Sequence, residues 1–255
     1  MSCPDCFSGH LREGTPQGKI LEVHGLPTYV AAPTDPTPRA YIVIAPDVFG
    51  WTTNHTRLNA DQYARRTGCQ VYVPNFMTGD GAPQWIAPVM ASLLDEKGFA
   101  AWLRKPWQCV QCAYALIPNH LKNSPPKCLI TMKRWLNDFR CNEAKDMKVG
   151  FIGFCWGGYA ATKLAHGDTA DNGKTLIDAA FTAHPSALEI PPDMERIKLP
   201  YSVSVGDVDF ALPKQEVDKM IAALDDLKDV PTEVVVIPDA KHGFAVRFDP
   251  LEHSG

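Results

Sequence analysis

The sequence predicts an α/β fold with a mostly parallel central sheet, formed by a single domain that spans residues 1–255. The length of 255 residues, with 45% hydrophobic and 21% charged residues, suits one domain with a sizeable core. Strand-like runs alternate with helix-like runs, which implies right-handed crossovers between parallel strands. The run Tyr41–Ala45 is continuously apolar, as in a strand that is buried on both faces.

The order of elements follows from the apolar runs and the turn residues between them. Two short strands at 20–23 and 28–31 flank a turn at residues 25–27, and further strands are predicted at 41–45, 70–73, 147–152, 179–182, 201–205 and 233–237. Helical spacing predicts helices at 54–67 and 213–227. Residues 85–139 are the least regular, and we expect two helices there with an irregular connection around residues 106–126.

Composition and charge argue against several classes of protein. The formal net charge of −4 indicates no nucleic-acid partner and no anionic-membrane partner. The N-terminus lacks the positive region and apolar run of a secretory signal, and no stretch approaches the roughly 18 apolar residues of a membrane helix. The eight cysteines are therefore interpreted as reduced thiols, and we predict a cytoplasmic protein.

The most informative motif is Gly153-Phe154-Cys155-Trp156-Gly157-Gly158, which follows a strand-like run and opens a helix-like run. This is the pattern of a nucleophile elbow, with cysteine in place of the usual serine. The flanking glycines are needed where a Cβ atom would collide with a neighbouring helix or strand. The N-terminus of the next helix favours a thiolate at Cys155. The alternative is a chance match in a buried turn.

An elbow cysteine needs a base, and two polar loops follow late strands. His242 comes after the strand at 233–237, and Asp209 lies in the loop after the strand at 201–205. Cys155, Asp209 and His242 thus stand in the chain order nucleophile, acid, histidine, in which the acid orients the histidine. Two alternatives stay open: a simple turn histidine at 242, and a helix N-cap role for Asp207 or Asp209.

An oxyanion hole requires two backbone N–H groups. We predict that these belong to Trp156, directly after the nucleophile, and to Val48, in the loop after the strand at 41–45. Beside Val48, Asp47 can contact the thiol or can be an exposed loop carboxylate, and the sequence leaves both open. His184 follows the strand at 179–182 and can face the same cleft, in a structural or substrate-contact role.

Two groups of cysteines are candidates for metal binding. Cys109 and Cys112, with His120 and Cys128, have a spacing that fits no standard structural zinc site well. The Cys3/Cys6 pair near His10 can bind metal or change redox state, although free thiols are favoured. We therefore predict no metal ligand.

Three tryptophans remain to be placed. We expect Trp102, Trp107 and Trp135 to pack over the sheet, with a lining of the substrate entrance as the alternative.

These motifs together resemble those of the dienelactone hydrolase family. The matching segments are, in order, 47–50, 153–158, 206–209 with 212–213, and 242–244, and the match runs from about Tyr41 to Arg247; segments 3–10 and 24–30 are similar to fungal members. The resemblance implies an α/β-hydrolase fold with helices on both faces of the sheet. It also implies a triad of Cys155, His242 and Asp209, cleavage of an ester or lactone bond, and no cofactor.

Three features depart from the family pattern. The glutamate that usually precedes the oxyanion loop is replaced by Asp47. The arginine that binds a substrate carboxylate in the family is matched by Arg247, one residue further along than expected. Residues 245–255 are too few for the family's last helix, so we expect a truncated chain or a partly bare sheet face, which would favour instability or association, for example as a homodimer.

The sequence therefore predicts a cysteine hydrolase that acts on a small-molecule ester or lactone through an acyl-cysteine intermediate. A thiolate attacks well and is a good leaving group, which suits activated esters such as enol-lactones. The alternative is a non-enzymatic, metal- or redox-responsive binding protein on the same fold.

Overall fold

A computed structural model describes residues 14–246 of the chain. In this range eight strands form one sheet, and seven helices accompany it. The strands are β1 (Lys19–Val23), β2 (Leu26–Ala31), β3 (Tyr41–Ala45), β4 (Gln70–Pro74), β5 (Val149–Phe154), β6 (Ala179–Ala183), β7 (Tyr201–Gly206) and β8 (Thr232–Ile237). The helices are α1 (Asn54–Thr67), α2 (Ile86–Asp95), α3 (Phe99–Lys122), α4 (Pro125–Cys141), α5 (Trp156–Leu164), α6 (Pro192–Glu195) and α7 (Lys214–Asp225).

The sheet is mostly parallel, as predicted. Its strand order is β1-β2-β4-β3-β5-β6-β7-β8. Strands β1 and β2 form an antiparallel pair at one edge, and β2 is also antiparallel to its neighbour β4. The other six strands, β3 to β8, are parallel to one another. The carboxyl ends of the parallel strands meet at one edge of the sheet, where the loops of an open α/β fold carry its functional groups.

The first hairpin turns earlier than the sequence indicated. Leu26 pairs with Val23 and belongs to β2, so the turn consists of His24 and Gly25, not of residues 25–27. Both turn residues have positive φ angles, 48° and 75°. This is the conformation that a two-residue hairpin turn requires, because its twist matches that of the two strands.

Both faces of the sheet are covered by helices. Strand β4 shows how the two faces differ. Val71 and Val73 point to one face and pack in the cluster that contains Ala60 and Ala64 of α1. Tyr72, between them, points to the opposite face and packs in the cluster formed with α4, α5 and α7. Successive side chains of a strand alternate between faces, so the parallel strands supply apolar residues to two cores.

Residues 85–139 form three helices, and the prediction of two helices with an irregular connection at 106–126 was wrong. Pro106 and Pro118 lie inside the single long helix α3. Proline removes one helical hydrogen bond and favours a kink, but its φ angle is compatible with a helix. Only residues 123 and 124 separate α3 from α4.

The three tryptophans occupy different environments. Trp135 is buried, its ring stacks on Phe139 at 4.9 Å, and its indole N–H donates to the carbonyl oxygen of Val23 at 2.8 Å. Trp102 and Trp107 are exposed, so the expectation that all three pack over the sheet was wrong for these two. They lie on the outer side of α3.

None of the helices in residues 14–246 is both long enough and apolar enough to cross a bilayer.

Cys3, Cys6, His10 and Arg247 lie outside the described residues, as does the chain after Val246, for which a missing last helix was expected.

Replacement of Trp135 should lower the stability of the folded protein. Trp135→Ala removes a buried ring and leaves a cavity, so we expect the free energy of unfolding to fall by about 3–5 kcal/mol. Urea denaturation followed by circular dichroism measures this. The matched control is Trp102→Ala on exposed α3, which should change stability by no more than about 0.5 kcal/mol. Equal losses in the two variants would contradict the assigned packing.

Candidate active site

Cys155 lies at the turn between β5 and α5, in a backbone conformation that side chains other than glycine rarely adopt. Its φ and ψ angles are 50° and −109°, which implies local strain held by the surroundings. The Cys155 N–H donates to the carbonyl oxygen of Ala183 at 3.2 Å, and the Cys155 carbonyl accepts from Gly158 at 3.0 Å and Ser186 at 3.1 Å. The end of β6 and the loop after it therefore hold the turn in place.

The glycine at 157 allows α5 to approach the end of β3. A Cβ atom there would overlap the carbonyl of Ala45, and the Gly157 N–H donates to the carbonyl oxygen of Pro46 at 3.2 Å. This contact places the loop after β3 beside the elbow. The strand, turn and helix that the elbow pattern predicts are all present, as β5, the turn at Cys155 and α5.

His242 and Asp209 form a buried pair. His242 Nδ1 lies 2.9 Å from both carboxylate oxygens of Asp209. Asp209 Oδ1 also accepts a hydrogen bond from the Ala211 N–H at 2.7 Å. The N-cap of α7 is Pro213, so neither Asp207 nor Asp209 has the N-cap role left open by the sequence. His242 lies in a turn, but its side chain is also paired with Asp209, so it is more than the simple turn histidine that the sequence left open.

Close packing of two loops brings this pair together. A Cβ atom on Gly206, at the end of β7, would overlap the carbonyl of Ala240 in the loop after β8. The N–H groups of Asp207 and Val208 donate to the carbonyl oxygens of Ile237 and Ala240, at 3.3 and 3.4 Å. The absence of a side chain at 206 thus lets the acid loop and the histidine loop lie against each other.

The charge state of His242 is coupled to Cys155. Burial by itself lowers the pKa of His242, but the negative charge of a Cys155 thiolate and the hydrogen bonds to Asp209 and Cys155 outweigh it and raise the pKa from 6.5 to about 10. A protonated imidazole beside a thiolate is the ion pair that activates cysteine nucleophiles. Because the pKa is raised on folding, the pair stabilises the fold below pH 6.5, and this stabilisation is lost as the pH rises through about 10.

Cys155 and His242 line one cavity of about 310 Å³ together with loops from four strands and the junction of α3 and α4. Its apolar lining consists of Val48, Phe49, Met90, Leu116, Pro125, Trp156, Ala187, Phe210 and Ala211, and its other polar lining of Asp47, Asn119, His120, Asn123, His184 and Ser186. Among residues 14–246 no lysine or arginine lines it. This volume suits a small organic molecule with an apolar group.

Val48 and Trp156, whose backbone N–H groups were predicted to form the oxyanion hole, both line this cavity. Trp156 is the first residue of α5, where the N–H groups of a helix have no acceptor within the helix. The indole N–H of Trp156 donates to the carbonyl oxygen of Asn123 at 2.8 Å. This bond fixes the elbow helix to the junction between α3 and α4.

Asp47 is buried, so the interpretation as an exposed loop carboxylate was wrong. Its Oδ1 accepts the Phe49 N–H at 3.0 Å, and its Oδ2 lies 3.7 Å from Nε2 of the buried His55. The sequence analysis did not single out His55, because it lies in the first turn of α1 and no motif marks it. Asp47 is one of the residues that line the cavity containing Cys155.

Three further residues lie near Cys155 in this cavity, and only one was anticipated. His184, expected to face the cleft, lines the cavity, and its ring centroid lies 5.0 Å from that of His242. Ser186 Oγ lies 4.0 Å from Cys155 Sγ, and Asn123 holds the backbone of Thr78 by two hydrogen bonds. The position of Ser186 just after β6 is a signal that could have identified it. No feature of the sequence identified Asn123, because the helices on either side of it were predicted wrongly.

The cysteines outside the elbow form no metal site that the described residues reveal. Within 14–246 no group of three or more histidine, cysteine or acidic side chains is arranged to hold a metal ion. Cys109 is exposed on α3, Cys128 is buried in α4, and burial raises the pKa of Cys112.

Comparison with known proteins extends over almost the whole chain. The model of the dienelactone hydrolase family matches residues 26–254. "Hydrolase pyvD" of Aspergillus violaceofuscus is 28% identical over 96% of this chain and 85% of that protein. "Dienlactone hydrolase 1" of Gibberella moniliformis is 28% identical over 97% of this chain and 85% of its own.

Solved structures share the fold. A putative dienelactone hydrolase from Klebsiella pneumoniae has a TM-score of 0.62 at 17% identity, and the superposition covers 93% of this chain and 90% of that one. At this level of identity the similarity establishes the architecture, which is that of the α/β-hydrolases.

The reactivity of the Cys155 thiol can be measured by alkylation. With His242 protonated up to a pH of about 10, we expect iodoacetamide to label Cys155 rapidly at about pH 6, where ordinary thiols are largely protonated. Peptide mapping by mass spectrometry identifies the labelled thiol.

His242→Ala is the matched variant for this measurement. It should slow labelling of Cys155 at about pH 6 by tenfold or more and make the rate rise with pH as for an ordinary thiol. The exposed Cys109 serves as the internal reference within each sample. Equal labelling rates for Cys155 and Cys109 in the unmodified protein would contradict the ion pair.

Proposed function

Because this chain belongs to the dienelactone hydrolase family, we propose that it hydrolyses a carboxylic ester or lactone by nucleophilic attack of Cys155. Family membership makes it a hydrolase of the ester or lactone type. The observation that carries the finer proposal is the buried His242–Asp209 pair, whose histidine has its pKa raised by the charge of Cys155. A histidine whose pKa is raised in this way supports a protonated imidazole beside Cys155, the arrangement that activates a cysteine nucleophile.

The first half of the proposed reaction forms an acyl-enzyme. The Cys155 thiolate attacks the acyl carbon, and the N–H groups of Val48 and Trp156 stabilise the negative charge that develops on the carbonyl oxygen. As the bond to the leaving oxygen breaks, protonated His242 donates its proton to that oxygen. Asp209 holds the imidazole through Nδ1, which leaves Nε2 for this transfer.

The second half releases the acid. Neutral His242 accepts a proton from a water molecule as that water attacks the acyl-cysteine, and the carbon–sulfur bond then breaks to restore the thiolate. A thiolate is a weak base and leaves readily, which favours esters with good leaving groups over amides. The predominantly apolar lining of the cavity supports a substrate that carries an apolar group.

Several expectations remain predictions. Arg247, proposed to bind a substrate carboxylate, lies outside the described residues. Contact of Asp47 with the thiol, independence from cofactors, a cytoplasmic location, the homodimer and the single domain also stay predictions. The non-enzymatic binding protein, the alternative from the sequence, finds no supporting observation in the site.

Removal of the nucleophile tests the proposal directly. We expect Cys155→Ala to lower kcat/KM for p-nitrophenyl acetate by about 1,000-fold or more. Cys155→Ser should retain only a small fraction of the activity, since a serine hydroxyl does not ionise beside His242 as a thiol does. The control is Cys109→Ala, an exposed thiol outside the cavity, which should be fully active. Undiminished turnover in Cys155→Ala would remove this residue from the mechanism.

Asp209→Asn tests the role of the acid through pH dependence. The hydrogen bond and charge of Asp209 raise the pKa of His242, so their loss should lower it. His242 should then lose its proton at a lower pH, and the alkaline limb of the plot of kcat against pH should shift to lower pH with it. We also expect kcat at neutral pH to fall by on the order of 100-fold. An alkaline limb at the same pH in both proteins would rule out this role for Asp209.

A further inference from the structure

The outer face of α3 is apolar and uncovered in residues 14–246. Eight large apolar side chains of α3 are exposed: Phe99, Trp102, Leu103, Trp107, Val110, Tyr114, Ile117 and Leu121. We call these eight residues the α3 apolar face. Trp102 is 66% exposed and Tyr114 is 78% exposed. The opposite side of the same helix, with Ala101 and Ala115, is buried against the protein.

The size of this face exceeds what a monomer in water usually exposes. Aromatic side chains present about 150–250 Å² each, and more than half of each of the eight side chains is exposed. The face therefore offers on the order of 1,000 Å², whereas the largest apolar patch of a typical monomer is about 300–600 Å². Such a face indicates a partner that covers it.

The charges around the face identify the kind of partner. Helix α3 contains three arginine and lysine residues, Arg104, Lys105 and Lys122, and no aspartate or glutamate. With 3.6 residues per turn, Arg104 and Lys122 fall along one border of the face and Lys105 along the other. Arg104 also pairs with Glu96, just before this segment, at 2.7 Å. The net charge of −4, from which we expected no anionic-membrane partner, is an average that conceals this basic segment.

A second copy of this chain is a poor match for the face. A two-fold dimer would place the face against itself and bring its bordering cations together without carboxylates from the same segment to pair with them. Like charges brought together across an interface disfavour it.

We propose that the α3 apolar face binds the surface of an anionic lipid bilayer, with α3 lying parallel to the membrane plane. Tryptophan and tyrosine favour the membrane interface because each has an apolar ring and a polar edge. Lysine and arginine at the borders reach the negative headgroups while their aliphatic stems stay over the apolar side. A helix with these two features lies on a membrane and does not cross it.

The proposed contact has a consequence for the catalytic cavity. Leu116 and His120 of α3 line the cavity, while Ile117 and Leu121 belong to the α3 apolar face. One helix thus joins the cavity to the membrane-binding face. Esters that partition into lipid would be concentrated beside the enzyme, in keeping with the apolar lining of the cavity.

Vesicle sedimentation tests this proposal. The full chain is mixed with vesicles of phosphatidylcholine alone or with about one-third phosphatidylserine. We expect it to sediment with the anionic vesicles and to be released at about 0.5 M salt, where surface charges are screened. The double variant Trp102→Ser/Trp107→Ser should bind at least about tenfold more weakly. Lys105→Glu/Lys122→Glu should lose the preference for phosphatidylserine.

The matched control is Ile20→Ser/Leu21→Ser, which removes two exposed apolar side chains from β1 at the edge of the sheet. It should bind vesicles as the unmodified protein does, and all variants should keep the same circular dichroism and the same turnover of a water-soluble ester. Turnover tests the catalytic proposal separately from vesicle binding.

Three results would overturn the membrane proposal: no sedimentation with anionic vesicles, sedimentation that the tryptophan variant leaves unchanged, or a dimer in light scattering that this variant dissociates. The last would make the face a subunit interface.

Discussion

The strained turn at Cys155 is the constraint on which the rest of the site depends. A cysteine with φ of 50° is stable only if its surroundings impose that conformation. Here the end of β6 and the loop after it bind the turn through its own N–H and carbonyl groups. Gly157 lets the next helix touch the end of β3. The turn therefore fixes the sulfur and, through the same contacts, the loop that carries Val48.

The second requirement is that distant loops meet the sulfur at the right place. Asp209 and His242 come from loops after β7 and β8, which pack together because Gly206 has no side chain to separate them. Burial of this pair would oppose a charged imidazole, yet the charges of Cys155 and Asp209 and the hydrogen bonds to both together outweigh it, and the pKa of His242 rises. The fold thus supplies the geometry, and Cys155 and Asp209 favour the protonated form of His242.

The pattern of apolar runs and turn residues predicted most of the sheet and the elements that carry the proposed triad. These features depend on residues that are close in the sequence, as the glycines around Cys155 do. Such patterns failed where the outcome depends on what surrounds an element. Prolines at 106 and 118 indicated breaks, but α3 continues through both. Trp102 and Trp135 have similar sequence contexts, yet one is exposed and the other is in the core. For Asp47 the sequence left open an exposed loop carboxylate, and only its packing beside His55 of α1 shows that it is buried.

The central claim is that the acyl group passes through the sulfur of Cys155, and trapping that intermediate tests it most directly. The unmodified protein is mixed rapidly with excess p-nitrophenyl acetate and quenched in acid at short times, and its intact mass and peptides are measured. The account predicts one added acetyl group per chain, located on Cys155, that forms with the first release of p-nitrophenol. An acetyl group on another residue, or an initial burst of p-nitrophenol with none on Cys155, would contradict it.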